Sequence, residues 1–376
     1  MPSAAGIIFS SLNNNTLSRL TSDRTVAAIP FACRYRLIDF SLSNMVNADI
    51  SNISVVANYN YRSLLSHIGS GKDWDMARRE NGINLISPFQ NASNLNEAKM
   101  YSNHLEALKS MKKQIDELKE DYVIMMDSDN VLNIDLSAVI NSHEAAASDI
   151  TLVTKITEPS FSSKHPRIML SSNNGRVTDI VLSASHDSLH PELVLGIYVM
   201  KTTFLRKIIE EAVAYNRNSF TEYLRNSYKT LKVSSYIHDG YVASVSSFLD
   251  YYRCSMEIAT DENARESLLA KKDSPIFTRV HNSSPTMYKT GAVVENSMIA
   301  DECVIEGEVV NSIIFRGVRI AKGAVVKNSV LFRGVHVSTG AHLDSIVADK
   351  DVYITENVRL SGHVNMPFYI QKSRKV

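Results

Sequence analysis

Short, continuous apolar runs recur along the first 255 or so residues of the chain. Runs of this length, bounded by polar or turn-forming residues, are typical of strands buried on both faces of a sheet. The predicted strands are Ala5 to Phe9, Asn52 to Asn58, Tyr122 to Met126, Thr151 to Thr157 and Leu193 to Met200.

Between these runs, apolar residues are spaced as on one face of a helix. The two clearest sets are Ile38, Leu42, Met45 and Val46, and, in a segment rich in Lys and Glu, Leu105, Leu108, Ile115 and Leu118. Strands that alternate with amphipathic helices are typical of βαβ units, whose crossover connections make neighbouring strands parallel. The pattern therefore predicts an α/β domain with a mostly parallel sheet over residues 1–259.

A different pattern follows a polar segment. Residues 260–285 contain two prolines and predict a linker. Over residues 286–370 the chain repeats itself, because FRGVRIAKGAVVKNSVL at 315–331 recurs as FRGVHVSTGAHLDSIV from 332. Coils of roughly 16 to 17 residues, with β-branched triplets between Gly-containing turns, are typical of hexapeptide-type parallel β-helices. The alternative is a flat two-sheet sandwich, which the constant offset disfavours. Residues 371–376 predict a solvated tail.

Composition narrows the possible partners. In 376 residues the chain has 40 Lys plus Arg and 40 Asp plus Glu, so no charge excess favours a nucleic-acid or membrane-surface partner. Three widely separated cysteines fit neither a disulfide framework nor a zinc site. No apolar run approaches the roughly 20 residues of a membrane span, and the first residues do not have the pattern of a secretory signal. These features predict a cytoplasmic protein that binds small ligands or other proteins.

Three stretches carry a family resemblance. They are RTVAAIPFACRYRLIDFSLSNMVNADI (24–50), GSGKDWDMARRENGINLISP (69–88) and DYVIMMDSDNVLNIDL (121–136). With the C-terminal repeats, they resemble the glucose-1-phosphate adenylyltransferases, the ADP-glucose pyrophosphorylases of bacterial glycogen synthesis. The resemblance implies a Rossmann-like nucleotidyltransferase domain followed by a left-handed parallel β-helix.

The family's reaction sets demands on the site. Its enzymes join the α-phosphate of ATP to glucose 1-phosphate with Mg²⁺ and release pyrophosphate. Two polyanions must meet there, so backbone N–H donors, cationic side chains and a carboxylate-bound metal are needed. Asp129 falls at the family's metal-binding aspartate and is the only metal ligand that the resemblance preserves.

The family's glycine-rich phosphate loop is not preserved. Its three glycines fall at Ser11, Leu12 and Asn14, and its arginine falls at Thr16. Phosphate approaches a backbone closely only where no Cβ intervenes, and Leu12 adds an apolar branch at such a point. An unrelated polar turn is the alternative interpretation of this loop.

Further positions of the family's site have lost their charge in the same way. Val26 replaces the family's phosphate-contacting lysine, and Leu182 with Ser183 replaces its Glu-Lys pair for the sugar phosphate. Ser219 replaces an acid, and Ser244 replaces the second metal-binding aspartate. One lost electrostatic contact typically costs about 100- to 1,000-fold in rate, so the combined loss predicts a catalytically impaired chain.

An intact scaffold with an emptied site suggests a regulatory duty. Some bacterial enzymes of this family are hetero-oligomers in which a D-type subunit lacks these features and activates its partner. The resemblance therefore implies a regulatory chain without a cofactor of its own. Its partner would be a catalytic glucose-1-phosphate adenylyltransferase subunit, which holds the Mg²⁺, in a heterotetramer.

Two alternatives stay open on this sequence. The first is an active nucleotidyltransferase with rearranged phosphate contacts, for which Asp129 and neighbouring arginines are the motive. The second is an acyltransferase of the β-helix type that uses His336, His342 or His363 as a base.

Two arginines predict a further site. Arg24 and Arg36 match family arginines that bind phosphorylated effectors near the domain junction. The structural alternative is that their aliphatic stems cover apolar surface. The family's effector-binding lysine falls at Asp23, which weakens the effector interpretation.

Overall fold

A nine-stranded sheet forms the centre of the N-terminal part of the chain. The computed structural model describes residues 3–10, 17–77, 82–87 and 100–376. The strands of this part are β1 (Ala4–Phe9), β2 (Pro30–Phe31), β3 (Tyr35–Arg36), β4 (Asn52–Val56), β5 (Gly82–Ile86), β6 (Tyr122–Asp127), β7 (Asn130–Leu132), β8 (Ile150–Ile156), β9 (Ser162–Asn173), β10 (Arg176–Ser185), β11 (Glu192–Lys201), β12 (Val233–Ile237) and β13 (Val242–Ser244).

Helices cover both faces of this sheet. They are α1 (Leu37–Asn47), α2 (Arg62–Ile68), α3 (His104–Ser110), α4 (Lys112–Asp116), α5 (Leu136–Ala145), α6 (Thr202–Ala214), α7 (Phe220–Ser227), α8 (Phe248–Thr260) and α9 (Glu262–Leu269), with 3-10 turns at Val26–Ala28 and Lys72–Trp74. The five predicted strands and both predicted helical segments are confirmed, with strand ends shifted by one or two residues and the second helical segment divided into α3 and α4. Among the described residues, no helix is both long and apolar enough to cross a membrane.

The sheet is mixed rather than uniformly parallel. Its strand order is β5-β4-β1-β6-β11-β8-β12-β10-β9. The parallel prediction is confirmed for β5, β4, β1 and β6, and for β8 with β12. Strand β11 instead runs antiparallel to both β6 and β8, because it enters the sheet directly after the β9–β10 hairpin, without a crossover helix.

The predicted linker, 260–285, is partly helical. Asp261 caps α9 by accepting hydrogen bonds from the backbone N–H groups of Asn263 and Ala264. Leu268 is fully buried, so the polar residues of this segment lie on its solvent-facing side while its apolar side packs inward. Farther along, the backbone N–H of Phe277 donates to Ser43 Oγ at 2.8 Å. The segment therefore packs on the first domain instead of spanning freely between domains.

The C-terminal part is a parallel β-helix of three five-stranded sheets. Its strands, in chain order, are β14 (Met287–Tyr288), β15 (Val293–Glu295), β16 (Met298–Ile299), β17 (Val304–Ile305), β18 (Glu308–Val310), β19 (Ile313–Ile314), β20 (Arg319–Ile320), β21 (Val325–Lys327), β22 (Val330–Leu331), β23 (His336–Val337), β24 (His342–Asp344), β25 (Ile346–Ala348), β26 (Tyr353–Ile354), β27 (Arg359–Ser361) and β28 (Phe368–Ile370). Every third strand joins the same sheet, and all the pairings are parallel. This arrangement confirms the hexapeptide-type left-handed β-helix and excludes the two-sheet sandwich.

The register explains the repeat length. Ile305 aligns with Ile320, fifteen residues on, and Ile320 aligns with Val337, seventeen residues on.

The tail at 371–376 is exposed, but its backbone pairs with the last coil, since Tyr353 N–H donates to the carbonyl of Arg374 at 2.8 Å. The tail thus satisfies backbone groups that the edge of the last coil would leave unpaired.

One apolar cluster joins the two parts of the chain. Tyr251 and Tyr252 of α8 belong to the same buried group as Ile313, Val330 and Phe332 of the β-helix. The hydroxyl of Tyr252 also donates to the carbonyl of Asn328 at 2.7 Å. The β-helix is therefore fixed against α8 by packing and by a directional hydrogen bond.

Candidate functional site

A pocket of about 500 Å³ opens at the ends of the central strands, where β1 and β6 finish; we call it the sheet-edge pocket. In mixed α/β sheets, ligands bind beyond the carboxyl ends of parallel strands. Its lining among the described residues comprises Phe9, Leu17, Val26, His104, Asp127, Ser128, Asp129, His165, Pro166, Arg167, Ile168, Leu182, Val194, Gly196, Tyr198, Thr221, Val245 and Ser246.

A carboxylate-imidazole pair occupies one wall. Asp127 ends β6, and its Oδ1 lies 2.7 Å from His104 Nε2, at the start of α3. Burial opposes the charge on the imidazole, but the neighbouring Asp127 outweighs burial and raises the pKa of His104. Gly196 lies directly behind this carboxylate with a φ of 71°, and a Cβ there would collide with Asp127. The Asp127 carboxylate therefore lies between the imidazole of His104 and the backbone of Gly196.

A second carboxylate lies two residues on. Asp129 Oδ1 accepts a 3.2 Å hydrogen bond from Asn130 Nδ2, while Asn130 Oδ1 accepts from Ser244 Oγ and, at 3.4 Å, from Arg167. Burial raises the pKa of Asp129, Arg167 partly offsets that rise, and the adjacent Asp127 adds to it.

Three of the residues named in the sequence analysis lie together in the structure. Val26, Asp129 and Leu182 line the pocket. Ser244 lies beside it on β13, opposite Asn130. The side chains at the predicted phosphate contacts are thus an almost fully buried valine and a half-exposed leucine, neither of which can neutralise an anion.

Other predicted residues have local structural partners. Ser183 Oγ donates to the carbonyl of Ser185 and is not part of the lining. Ser219 is the N-cap of α7, where its Oγ accepts from the N–H of Glu222 at 3.2 Å. The predicted loop positions Ser11, Leu12, Asn14 and Thr16 lie outside the described residues.

Most of the pocket lining was missed from the sequence, including His104, Asp127, Arg167 and Tyr198. Asp127 had a usable signal, because it precedes Asp129 by two residues at the end of a predicted strand. His104 had none, since its contact with Asp127 spans 23 positions and depends on how α3 packs on the sheet.

The pocket does not fit Mg²⁺ well. Asp127 is bound to His104, and the position of the second family carboxylate is Ser244, whose hydroxyl is bound to Asn130. Magnesium requires several oxygen ligands in near-octahedral geometry. Across the described residues, no cluster of three or more His, Cys, Asp or Glu side chains could hold a metal ion.

The two predicted effector arginines lie at the domain junction, with different partners. Arg24 is buried, and its Nη2 lies 2.8 and 2.9 Å from the two carboxylate oxygens of Asp349 in the β-helix. This contact gives Arg24 a structural role. Arg36 Nη1 donates to the carbonyl of Ser63 at 2.7 Å.

Positive charge is concentrated around Arg36. Burial, followed by the charges of Arg24 and Arg36, lowers the pKa of Lys350 to about 8. Burial likewise lowers the pKa of Arg36 to about 10, and Asp39 only partly offsets it. Neighbouring arginine charges add to this lowering of both pKa values, and like charges that lie together favour a bound anion.

The β-helix histidines show no assembled base. His336 stacks on Tyr353 with ring centroids 4.8 Å apart. His342 is exposed on β24, and the backbone of His363 pairs with Met366 in a turn.

Comparisons with known proteins agree with this architecture. A family model described as Nucleotidyl transferase matches residues 6–260. The chain belongs to the nucleotidyl transferase family. A second model, described as the GlmU-like C-terminal hexapeptide, matches residues 282–364.

Curated relatives cover most of the chain. The glycogen biosynthesis protein GlgD of Bacillus subtilis (strain 168) is 31% identical over 325 residues, which are 86% of this chain and 82% of the relative. The GlgD protein of Geobacillus stearothermophilus is 32% identical and covers 85% of this chain and 82% of its own length. A glucose-1-phosphate adenylyltransferase of Mycoplasma mobile is 27% identical, with 83% and 81% covered.

Proposed function

We propose that this chain is a regulatory, catalytically impaired subunit that pairs with a catalytic glucose-1-phosphate adenylyltransferase and activates it for glycogen synthesis. The similarity to two glycogen biosynthesis proteins GlgD, ahead of the adenylyltransferases, supports this assignment. In the proposed complex, a cytoplasmic heterotetramer, the catalytic partner holds Mg²⁺ and this chain needs no cofactor. Neither nucleic acid nor a membrane takes part.

The observation that carries the proposal is the chemistry of the sheet-edge pocket. Val26 and Leu182 face it at two positions where the family's phosphate contacts are cationic or polar. Asp129 has Ser244 in place of a second carboxylate. Preorganised charge is the main source of rate in phosphoryl chemistry, so the loss of charge at these positions supports impaired catalysis.

Reconstitution tests the proposal directly. The purified chain is mixed with a catalytic homologue from the same organism, and the mixture is examined by sizing with mass measurement and by an ADP-glucose assay. We expect a complex of defined stoichiometry whose turnover per catalytic chain exceeds that of the homologue alone. If no complex forms, or if the complex is no more active than the homologue, the proposal is wrong.

An active nucleotidyltransferase is the second candidate, because Asp129 and Arg167 remain in the pocket. The isolated chain is assayed for pyrophosphate release with ATP, Mg²⁺ and glucose 1-phosphate. Turnover within about a thousandfold of an ordinary enzyme, the loss expected for one missing contact, favours this candidate.

Effector binding at the junction is part of the proposed regulation. The positive charges of Arg36 and Lys350 support a phosphorylated effector there. Arg24 supports that site only indirectly, by fixing the β-helix beside it through Asp349.

A further inference from the structure

A column of basic residues runs along one corner of the β-helix, beside the domain junction. One backbone hydrogen bond recurs from coil to coil: Asp351 N–H donates to the carbonyl of Arg333 at 3.0 Å, and Ser373 N–H donates to the carbonyl of Lys350 at 2.9 Å. This recurring bond places four basic residues at equivalent turn positions of successive coils and the tail, about 4.8 Å apart. We call them the corner column: Arg316, Arg333, Lys350 and Lys372.

Two members of the corner column have carboxylate partners. Lys372 Nζ lies 2.9 Å from an oxygen of Asp23, and Arg316 Nε lies 3.7 Å from an oxygen of Glu302. A neighbouring carboxylate favours the charged form of a lysine. An amine held as an ammonium ion has no free electron pair, so Lys372 is a poor nucleophile.

The other two members lack such partners. Neither Arg333 nor Lys350 forms an ion pair or a side-chain hydrogen bond within the described part of the chain. The carboxylate next to Lys350 in sequence, that of Asp349, is bound by Arg24. Because Lys350 is partly exposed, a small molecule at the junction can reach its side chain.

Like charges surround Lys350. Burial, followed by the charges of Arg24 and Arg36 from the α/β domain and of Arg333 from the neighbouring coil, lowers its pKa to about 8. At pH 7 roughly a tenth of such an amine is neutral, against less than about a thousandth for an ordinary lysine. A lysine beside other cations is thus an activated nucleophile, because only the neutral amine attacks a carbonyl carbon.

The same cations suit an anionic acyl donor. Guanidinium groups bind phosphate oxygens through charge-assisted and often paired hydrogen bonds, and Arg333 and Arg36 provide two of them beside Lys350. An acyl phosphate has a phosphate at one end and a reactive carbonyl carbon at the other. Binding of its phosphate at the junction therefore brings the carbonyl carbon to the amine.

We propose that Lys350 is a modification site, which acyl phosphates such as acetyl phosphate acylate directly. The neutral amine attacks the carbonyl carbon with its electron pair, and a C–N bond forms. The C–O bond to the phosphate breaks, the phosphate leaves with the electrons of that bond, and the nitrogen loses one proton to water. The products are a neutral amide on this side chain and inorganic phosphate.

The consequence of the modification rests on the proposed function. An acylated lysine has no charge, so the junction loses one of the cations that support a phosphorylated effector. The regulatory chain then responds less to its effector when acyl phosphates are abundant. The modification itself involves this chain alone, so its test needs no catalytic partner.

The experiment is incubation of the full chain with acetyl phosphate near neutral pH, followed by digestion and mass spectrometry of each lysine. We expect acetylation of Lys350 to be at least about tenfold faster than that of Lys372, the paired lysine of the same column. Added inorganic phosphate should slow the reaction at Lys350, because it occupies the same guanidinium groups. The N-hydroxysuccinimide ester of acetic acid lacks a phosphate, so its preference for Lys350 should be smaller and insensitive to phosphate.

Two variants test the binding of the phosphate group. Arg333→Met removes the adjacent cation and should slow acetylation of Lys350 by about threefold to tenfold. Arg333 is exposed, so an unchanged melting temperature shows that this variant is folded. Arg316→Met, two coils from Lys350 and paired with Glu302, is the matched control and should keep the wild-type rate.

Three results would overturn the proposal. They are acetylation of Lys350 that is no faster than that of Lys372, an equal preference for Lys350 with the ester and with acetyl phosphate, and an unchanged rate in folded Arg333→Met. None of them affects the regulatory proposal, which is decided by complex formation and activation.

Discussion

Arg24 and Asp349 are 325 positions apart in the chain, and their side chains form an ion pair in which Arg24 Nη2 contacts both carboxylate oxygens and both side chains are 1% exposed. The guanidinium also lies over the ring of Phe332, 5.7 Å from its centroid. Tyr369 donates a 2.6 Å hydrogen bond to Asp349 Oδ2, one of the two oxygens that Arg24 contacts. This pair makes the β-helix and the α/β domain parts of one structure.

Removal of one partner of this pair should be costly. We expect Arg24→Met to lower the free energy of unfolding by about 3 to 5 kcal/mol, because the buried carboxylate of Asp349 is left without its cationic partner. Urea unfolding, monitored by circular dichroism, measures this change in the free energy of unfolding. Lys112→Met, at an exposed pair on α4, is the control, and we expect a change within about 0.5 kcal/mol. Equal effects of the two variants would contradict the structural role of Arg24.

The His104–Asp127 pair should make stability depend on pH. Because the folded-state pKa of His104 is raised, its contribution is full below the unfolded value of about 6.5 and is lost as pH rises through the folded pKa. The stability difference between wild type and His104→Gln should therefore be larger at about pH 5.5 than at about pH 8.5. His342→Gln, at an exposed position, is the control. A difference that grows with pH would have the wrong sign.

Gly196 is needed for two reasons that a matched pair of variants separates. Gly196 and Gly317 both have a φ of 71°, but only a Cβ at Gly196 would meet a neighbour, the Asp127 carboxylate. We expect Gly317→Ala to cost about 1 to 2 kcal/mol from backbone strain. Gly196→Ala should cost at least about 1 kcal/mol more because of the collision. If thermal unfolding shows the same loss of stability in both variants, the Asp127 carboxylate is not in close contact with Gly196.

Restoring the second carboxylate should restore metal binding. Ser244 pairs with Asn130, and the N–H of Val245 donates to the carbonyl of Asp129 at 2.8 Å, so Ser244→Asp places two carboxylates side by side. At a tenfold excess of Mg²⁺ over its dissociation constant, this variant should gain about 1.4 kcal/mol. Wild type and Ser244→Asn should gain much less. An equal magnesium-induced shift of the melting temperature in all three would mean that Ser244 is not at the metal position.

The junction cations should bind phosphate. Inorganic phosphate should raise the melting temperature of the wild-type chain, because a bound anion would offset both the burial and the neighbouring positive charges that lower the pKa of Lys350 and of Arg36. Arg36→Met and Lys350→Met should each remove most of that shift, whereas Lys112→Met should keep it. A full shift in both junction variants would exclude this effector site.

Part of the candidate site could be predicted because it lies at the end of a strand. The end of β6 is set by a local change from apolar to polar residues, and Asp129 follows from it. Val26 and Leu182 were placed through the family resemblance, and the pocket contains both. His104 and Arg167 were missed, because each reaches the pocket through packing between elements that are distant in sequence.

The sequence by itself determined the element types, the coiled repeat of the β-helix and the loss of charge at family positions. Those properties depend on local periodicity and on single residue types, which burial imposes within one strand, helix or coil. Only the tertiary structure decided that β11 runs antiparallel, that α9 occupies the expected linker, that Asp127 pairs with His104 and that Arg24 is held by Asp349. Such contacts bring together residues from 23 to 325 positions apart, and their geometry is fixed by how whole elements pack, which no local pattern encodes.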